Sequence, residues 1–211
     1  MKSVTMRSIN AGVVLAVALT STIGFGQSSP ADPIAYCRSL TGYNVIIGTQ
    51  SNDNITGTEG ADCIVALGAQ DTIDGLGGND IIFGGEGNDN IQGGDGDDQL
   101  YGGGGQDIIS GGAGNDQLFG ENGDDTSSGG DGDDTVSGGE GQDVLSGDAG
   151  NDSLNGGGGD DRLNGGDGND SLSDCVNHNI LNGGGGTDSC QASATGNNSS
   201  SMTSCETVLA C

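Results

Sequence analysis

The chain has 211 residues, of which 46 are Gly, none is Trp, and only three each are Phe and Tyr; 31% are hydrophobic. So little apolar volume excludes a thick globular core and demands a thin fold whose backbone does much of the work. Thirty-one acidic residues against four basic ones give a net charge of −27, which excludes nucleic acid and anionic membrane surfaces as partners, because their phosphates would repel it.

Residues 1–26 read as a secretory signal peptide. Lys2 and Arg7 form a positive start, Ala11 to Leu19 is an apolar run too short to span a bilayer, and the small residues Gly24 and Gly26 precede a cleavage point at Gln27. Ser29 and Ala31 offer a second cleavage point, and an uncleaved anchor is the alternative to both. Export makes the chain secreted or surface-associated. In that setting Cys37, Cys63, Cys175, Cys190, Cys205 and Cys211 read as disulfide partners. No Cys-x-x-Cys pair occurs, and the lone His178 is a poor basis for a zinc site. Residues 27–47 form an arm and cap. Tyr36, Tyr43 and the aliphatic run from Val45 to Ile47 suggest a first, imperfect strand, with Cys37 placed to tie the arm to Cys63.

From residue 48 to 191 the chain is a tandem repeat. Gly84 to Gln92 reads G-G-E-G-N-D-N-I-Q, Gly93 to Tyr101 reads G-G-D-G-D-D-Q-L-Y, and Gly102 to Ser110 reads G-G-G-G-Q-D-I-I-S. The template is G-G-x-G-x-D-x-U-x, with U a large aliphatic, and sixteen nonads follow it without a slip in phase. Acidic, Gly-rich composition taken alone reads as disorder; sixteen in-phase repeats overturn that. In a short x-U-x strand, U lies on one face and its neighbours on the other. Glycine at this density excludes helix and permits tight, partly left-handed turns.

These nonads resemble the repeats-in-toxin, or haemolysin-type, calcium-binding family. The resemblance implies an all-β fold: a right-handed parallel β-roll (β-solenoid) with two nonapeptides per 18-residue coil and about eight coils. The first six residues of each nonad would form a turn that holds calcium, and the last three a short strand with U inward.

Stacked coils place the aspartates in two columns. One holds Asp53, Asp71, Asp89, Asp107, Asp125, Asp143 and Asp161 and ends in Asn179; the other holds Asp62, Asp80, Asp98, Asp116, Asp134, Asp152, Asp170 and Asp188. Adjacent coils lie ~4.8 Å apart, where two carboxylates repel by ~1 kcal/mol in bulk water and ~3–4 kcal/mol at an effective dielectric of 20. A cation between turns reverses that sign. Carboxylate and carbonyl donors, without thiolate or imidazole, select Ca2+, and magnesium's stricter octahedron makes it the poorer fit. The resemblance implies a cage of first- and third-position carbonyls plus Asp from one loop, with second- and fourth-position carbonyls plus Asp from the loop one coil later. One such site is drawn from Gly84, Glu86, Asp89, Gly103, Gly105 and Asp107, and its opposite neighbour from Gly93, Asp95, Asp98, Gly112, Gly114 and Asp116.

Several nonads depart from the template. Ala66 to Asp74 lacks the glycine frame, Glu121 and Asp148 replace second glycines, Ser127 replaces an inward aliphatic, and Asp174 to Asn182 keeps only its Leu. Acids outside the sixth position, such as Asp97, Asp124, Asp133 and Asp160, read as solvated charge. Residues 192–211 form a cap, with a Ser/Asn-rich loop from Ala192 to Ser201. Fifteen cysteine pairings are open from sequence; the resemblance favours Cys190 with Cys205, leaving Cys175 for Cys211.

No H-e-x-x-H or G-x-S-x-G motif occurs, so no enzyme is expected. The leading reading is a secreted calcium-binding repeat with a structural or buffering role. A second is an adhesive or self-associating face built on the ninth-position residues Phe83, Tyr101 and Phe119, expected to stack outward at 18-residue spacing. A third is an accessory module of a toxin or exoenzyme.

Overall fold

A computed structural model describes residues 29–175, 177–192 and 201–210; the expected signal peptide lies outside them. The described residues form one short helix and two parallel sheets, of ten and nine strands, that alternate along the chain. Each strand pairs with the strand two elements on, as in Ile82↔Leu100↔Leu118 on one sheet and Ile91↔Ile109↔Ser127 on the other. The 18-residue register is therefore the physical step of a β-solenoid of about eight turns.

The core is a double row of U residues between the sheets. Ile64, Ile82, Leu100, Leu118 and Leu154 from one sheet and Ile73, Ile91, Ile109 and Leu163 from the other are buried. Two such side chains per coil contribute ~1.5–3 kcal/mol each, so the core is continuous along the axis and only one residue deep on either side. The strands are longer than three residues. Gln99–Gly104, for example, carries Q-L-Y into the following G-G-G, because parallel pairing resumes after the first glycine, at Gly85↔Gly103 and Glu86↔Gly104.

The register extends past both ends of the sixteen nonads. Asn44 pairs with Asp62, and Cys190 with Val208, at the same 18-residue step. On the other sheet the last step lengthens to Leu181↔Met202, which accommodates the loop after Ala192.

The N-terminal arm holds a helix that the sequence reading did not anticipate, α1 (Pro33–Ser39). Asp32 caps it, accepting the Ala35 N–H at 2.9 Å, and Pro33 sits in its first turn, where the missing N–H costs nothing. The Asp32-Pro33 pair was the available signal. Cys37 is bonded to Cys63, as expected, with Cα atoms 5.6 Å apart.

This arm corrects the reading of the aromatic stripe. Phe83, Tyr101 and Phe119 do stack, with centroids 4.9 Å apart at each step. They are not an open outward face: they are 3%, 6% and 4% exposed and form a second apolar cluster with Cys37, Cys63, Val65 and Ile81, packed by Ile34, Tyr36, Leu40 and Tyr43. Tyr36 meets Phe83 edge-on at 6.2 Å. Farther along, the Ser29 N–H and hydroxyl donate to the Glu121 carboxylate at 2.5 and 3.0 Å. Burial of aromatic area outweighs exposure wherever the chain supplies an apolar segment to cover it.

At the other end Cys190 is bonded to Cys205, as the resemblance implied, with Cα atoms 5.8 Å apart. Cys175 is also disulfide-bonded; Cys211 lies outside the described residues, as does most of the Ser/Asn-rich loop.

Candidate metal centre

Both aspartate columns are built as the repeat implied. Asp80, Asp89, Asp98, Asp107, Asp116, Asp125, Asp134, Asp143, Asp152, Asp161, Asp170 and Asp188 are each no more than 2% exposed. In every one the Oδ1 accepts a backbone N–H from the Asp one coil earlier, as in Asp89 N–H to Asp107 Oδ1 and Asp98 N–H to Asp116 Oδ1, both 2.8 Å. Each Asp is thereby clamped to the coil before it.

The second oxygen has no such donor. Oδ2 of Asp71, Asp80, Asp89, Asp98, Asp107 and their successors is buried with no hydrogen-bond partner. A buried, unsatisfied carboxylate oxygen is costly, and repeating it in ionised form down two columns is untenable without a counter-charge. Burial pushes the carboxyls of Asp80, Asp98, Asp107, Asp134 and Asp143 up to about 7 and those of Asp89, Asp116 and Asp152 up to about 6. Neighbouring carboxylates add to the rise, while the backbone N–H bonds oppose it.

Carbonyl oxygens frame these orphans. The absent Cβ of Gly84 marks a point 2.6 Å from Asp89 Oδ2 and 2.7 Å from Gly102 O. A Cβ on Gly103 would strike Gly85 O, and one on Gly105 would strike Gly87 O. The Gly87 N–H in turn donates to Gly104 O at 2.6 Å. Second- and fourth-position carbonyls therefore reach toward the following coil, and first- and third-position carbonyls reach back toward the preceding one.

Gly85 O and Gly87 O of one coil thus point at Gly103 and Gly105 of the next, and Gly102 O and Gly104 O point back at Gly84 and Gly87. The same holds on the opposite side: Gly94 and Gly96 meet the coil of Gly112 and Gly114, and Gly111 O reaches back to Gly93, whereas Asp95 O accepts the Gly78 N–H of the earlier coil at 2.8 Å. The direction of each carbonyl is set by peptide orientation in the folded ladder, which no residue identity reports.

Glycine is obligatory where the coils approach most closely. Gly105 has φ +135°, a conformation that L side chains rarely adopt, and Gly87 O lies against the place where a Cβ would stand. Leu76, Glu121 and Asp148, non-glycine residues at second positions, settle at φ 76°, 75° and 74°, nearer the small left-handed helical region that L residues can enter.

The fifth-position acids are exposed, as read, but they are not merely solvated. Asp97, Asp124, Asp133 and Asp160 accept the backbone N–H of Asn115, Gln142, Asn151 and His178, respectively, at 2.8–3.0 Å. They form a second ladder that points the opposite way. Glu206 was missed. It stands 18 residues after Asp188 and accepts that residue's N–H at 2.5 Å, so its phase alone could have found it. At the other end Asn44 donates to Asp62 Oδ1 at 2.6 Å.

Among the described residues no three His, Cys, Asp or Glu side chains gather into one cluster. The donor set is two carboxylates within a frame of backbone carbonyls, all hard oxygen, and the orphaned Oδ2 atoms fit a calcium ion.

A family model described as RTX calcium-binding nonapeptide repeat (4 copies) matches residues 41–73, 64–91, 74–109, 83–118, 101–136, 119–154 and 137–172. No curated protein matches the chain. The overlapping matches cover the solenoid from its first coil to the nonad before the degenerate one, and the chain belongs to the RTX calcium-binding nonapeptide-repeat family.

Proposed function

We propose that this chain is an exported calcium-binding protein whose roll forms on binding calcium and whose role is structural or calcium-buffering. The observation that carries the reading is the double column of buried Asp Oδ2 atoms with no donor, facing carbonyls of the next coil. Gly85, Gly87, Asp89, Gly102, Gly104 and Asp107 would hold one ion, and the same six places recur along both columns. Calcium supplies the positive charge that lets two carboxylates occupy one dry gap. Disulfides at both ends of the roll and the apolar N-terminal run support export.

Each coil buries two U side chains, yet ordering its eighteen residues costs about 1 kcal/mol or more per residue in backbone entropy. Ion binding must close that deficit, so binding free energy appears as folding free energy. Because each ion joins two coils, binding is cooperative. The test is circular dichroism of the exported protein during a calcium titration. A sigmoidal gain of β-signal is expected, with magnesium far less effective. A compact, β-rich protein in excess chelator would refute the coupling.

A further inference from the structure

The degenerate nonad at residues 174–182 carries a carboxylate that the repeat template does not. In the regular nonads the first position is usually Gly, and the first-position carbonyl of the next coil lies beside the Asp Oδ2 of the coil before it. At Gly120, for instance, the point marked by the missing Cβ lies 2.5 Å from Gly138 O and also against Asp125 Oδ2. At Gly156 the same point lies 2.6 Å from Asp161 Oδ2, but its other neighbour is Asp174 Oδ2, not a carbonyl. Asp174 is 1% exposed and Asp161 is equally buried. Asp161 Oδ2 receives no N–H donor, and the side chain it meets at this place is the Asp174 carboxyl.

The partner of the missing carbonyl explains the change. The column slot above Asp161 holds Asn179, whose Oδ1 accepts the Asp161 N–H at 2.9 Å and so preserves the ladder. Its Nδ2 sits where other slots have an anionic oxygen, and it donates to Asp174 O at 3.4 Å. That amide turns the first-position carbonyl away from cation duty. The negative charge lost at position 179 returns at position 174, so the gap keeps two carboxylates.

We infer that Asp161 and Asp174, with the backbone carbonyls around them, form a variant divalent-cation site that closes this column, in which a first-position side chain replaces the sixth-position aspartate. Two buried carboxylates facing each other across one coil require a cation or a shared proton between them, and of the cations, oxygen donors of this kind select calcium. The inference rests on the reading of the regular gaps as calcium sites.

Counting calcium ions bound per chain by equilibrium dialysis, on the full exported protein, tests it. Asp174→Asn should lower the count by one while the calcium-induced β-signal is retained. The double substitution Asp174→Gly with Asn179→Asp restores the template's first and sixth residues and should restore the count, which guards against a variant that merely misfolds locally. An unchanged count and midpoint in Asp174→Asn would overturn the site, and would mean that the two carboxylates share a proton instead. Failure of the unsubstituted chain to bind calcium at all would overturn the reading of the regular gaps and this site with it.

Discussion

At the scale of single residues, the sixth-position aspartate does two separable jobs. Its Oδ1 holds a backbone N–H of the preceding coil, and its Oδ2 supplies charge to the gap. Asn179 shows that an amide can do the first without the second. Asp107→Asn should therefore keep the ladder, with the Asp89 N–H still bonded, and lose affinity in the gaps on both sides, because Asp107 borders each. The calcium midpoint should rise by about tenfold or more, since charge count tunes such sites. An unshifted midpoint would exclude Asp107 as a ligand. Asp97→Asn is the control: Asp97 Oδ1 takes the Asn115 N–H, an amide oxygen replaces it, and the midpoint should stay put. The aspartate slots were legible from phase alone. Asp174 was not, because its value depends on which atom its neighbour Asn179 turns toward it.

The strand is the next scale, and there the U row decides stability. Ser127 occupies an inward slot between Ile109 and Leu145. It is 1% exposed, and its hydroxyl has no partner. Ser127→Val removes the orphaned hydroxyl and fills the row, with an expected gain of about 1–2 kcal/mol. Urea denaturation at saturating calcium measures it; a lower midpoint would show that the slot has no room. Leu118→Ala, in the opposite row and fully buried, should cost about 2–5 kcal/mol. The same alternation that named the U residues also placed the ninth-position aromatics on the other face, correctly. It could not say that the chain's own arm covers them, because that contact joins segments some fifty to ninety residues apart.

For the whole molecule, charge is the controlling variable. In the ion-free roll burial pushes Asp80, Asp98, Asp107, Asp134 and Asp143 up to about 7 and Asp89, Asp116 and Asp152 up to about 6, whereas in an unfolded chain they titrate near the usual aspartate value of about 3.9. The folded state then binds more protons between about pH 4 and 7, so its ion-free stability falls as pH rises through that window and is lowest above it. Calcium-stripped protein should show more β-signal at pH 5 than at pH 7.5. Protons and calcium compete for the same oxygens, so the calcium midpoint should also rise as pH falls below about 7. Less β-signal at pH 5 in the stripped protein would contradict the buried columns.

The sequence by itself determined the solenoid, its 18-residue step, the inward row and the two aspartate columns, because a strict period of nine converts chain position directly into spatial position. The placement of Cys37 in the arm suggested its bond to Cys63, and the family resemblance implied Cys190 with Cys205. Tertiary structure alone decided which carbonyls face which gap, where the N-terminal arm lies, and that Asp174 meets Asp161. Those depend on peptide orientation, on packing between distant segments and on a local break in the repeat, and none of the three has a period that a sequence can display.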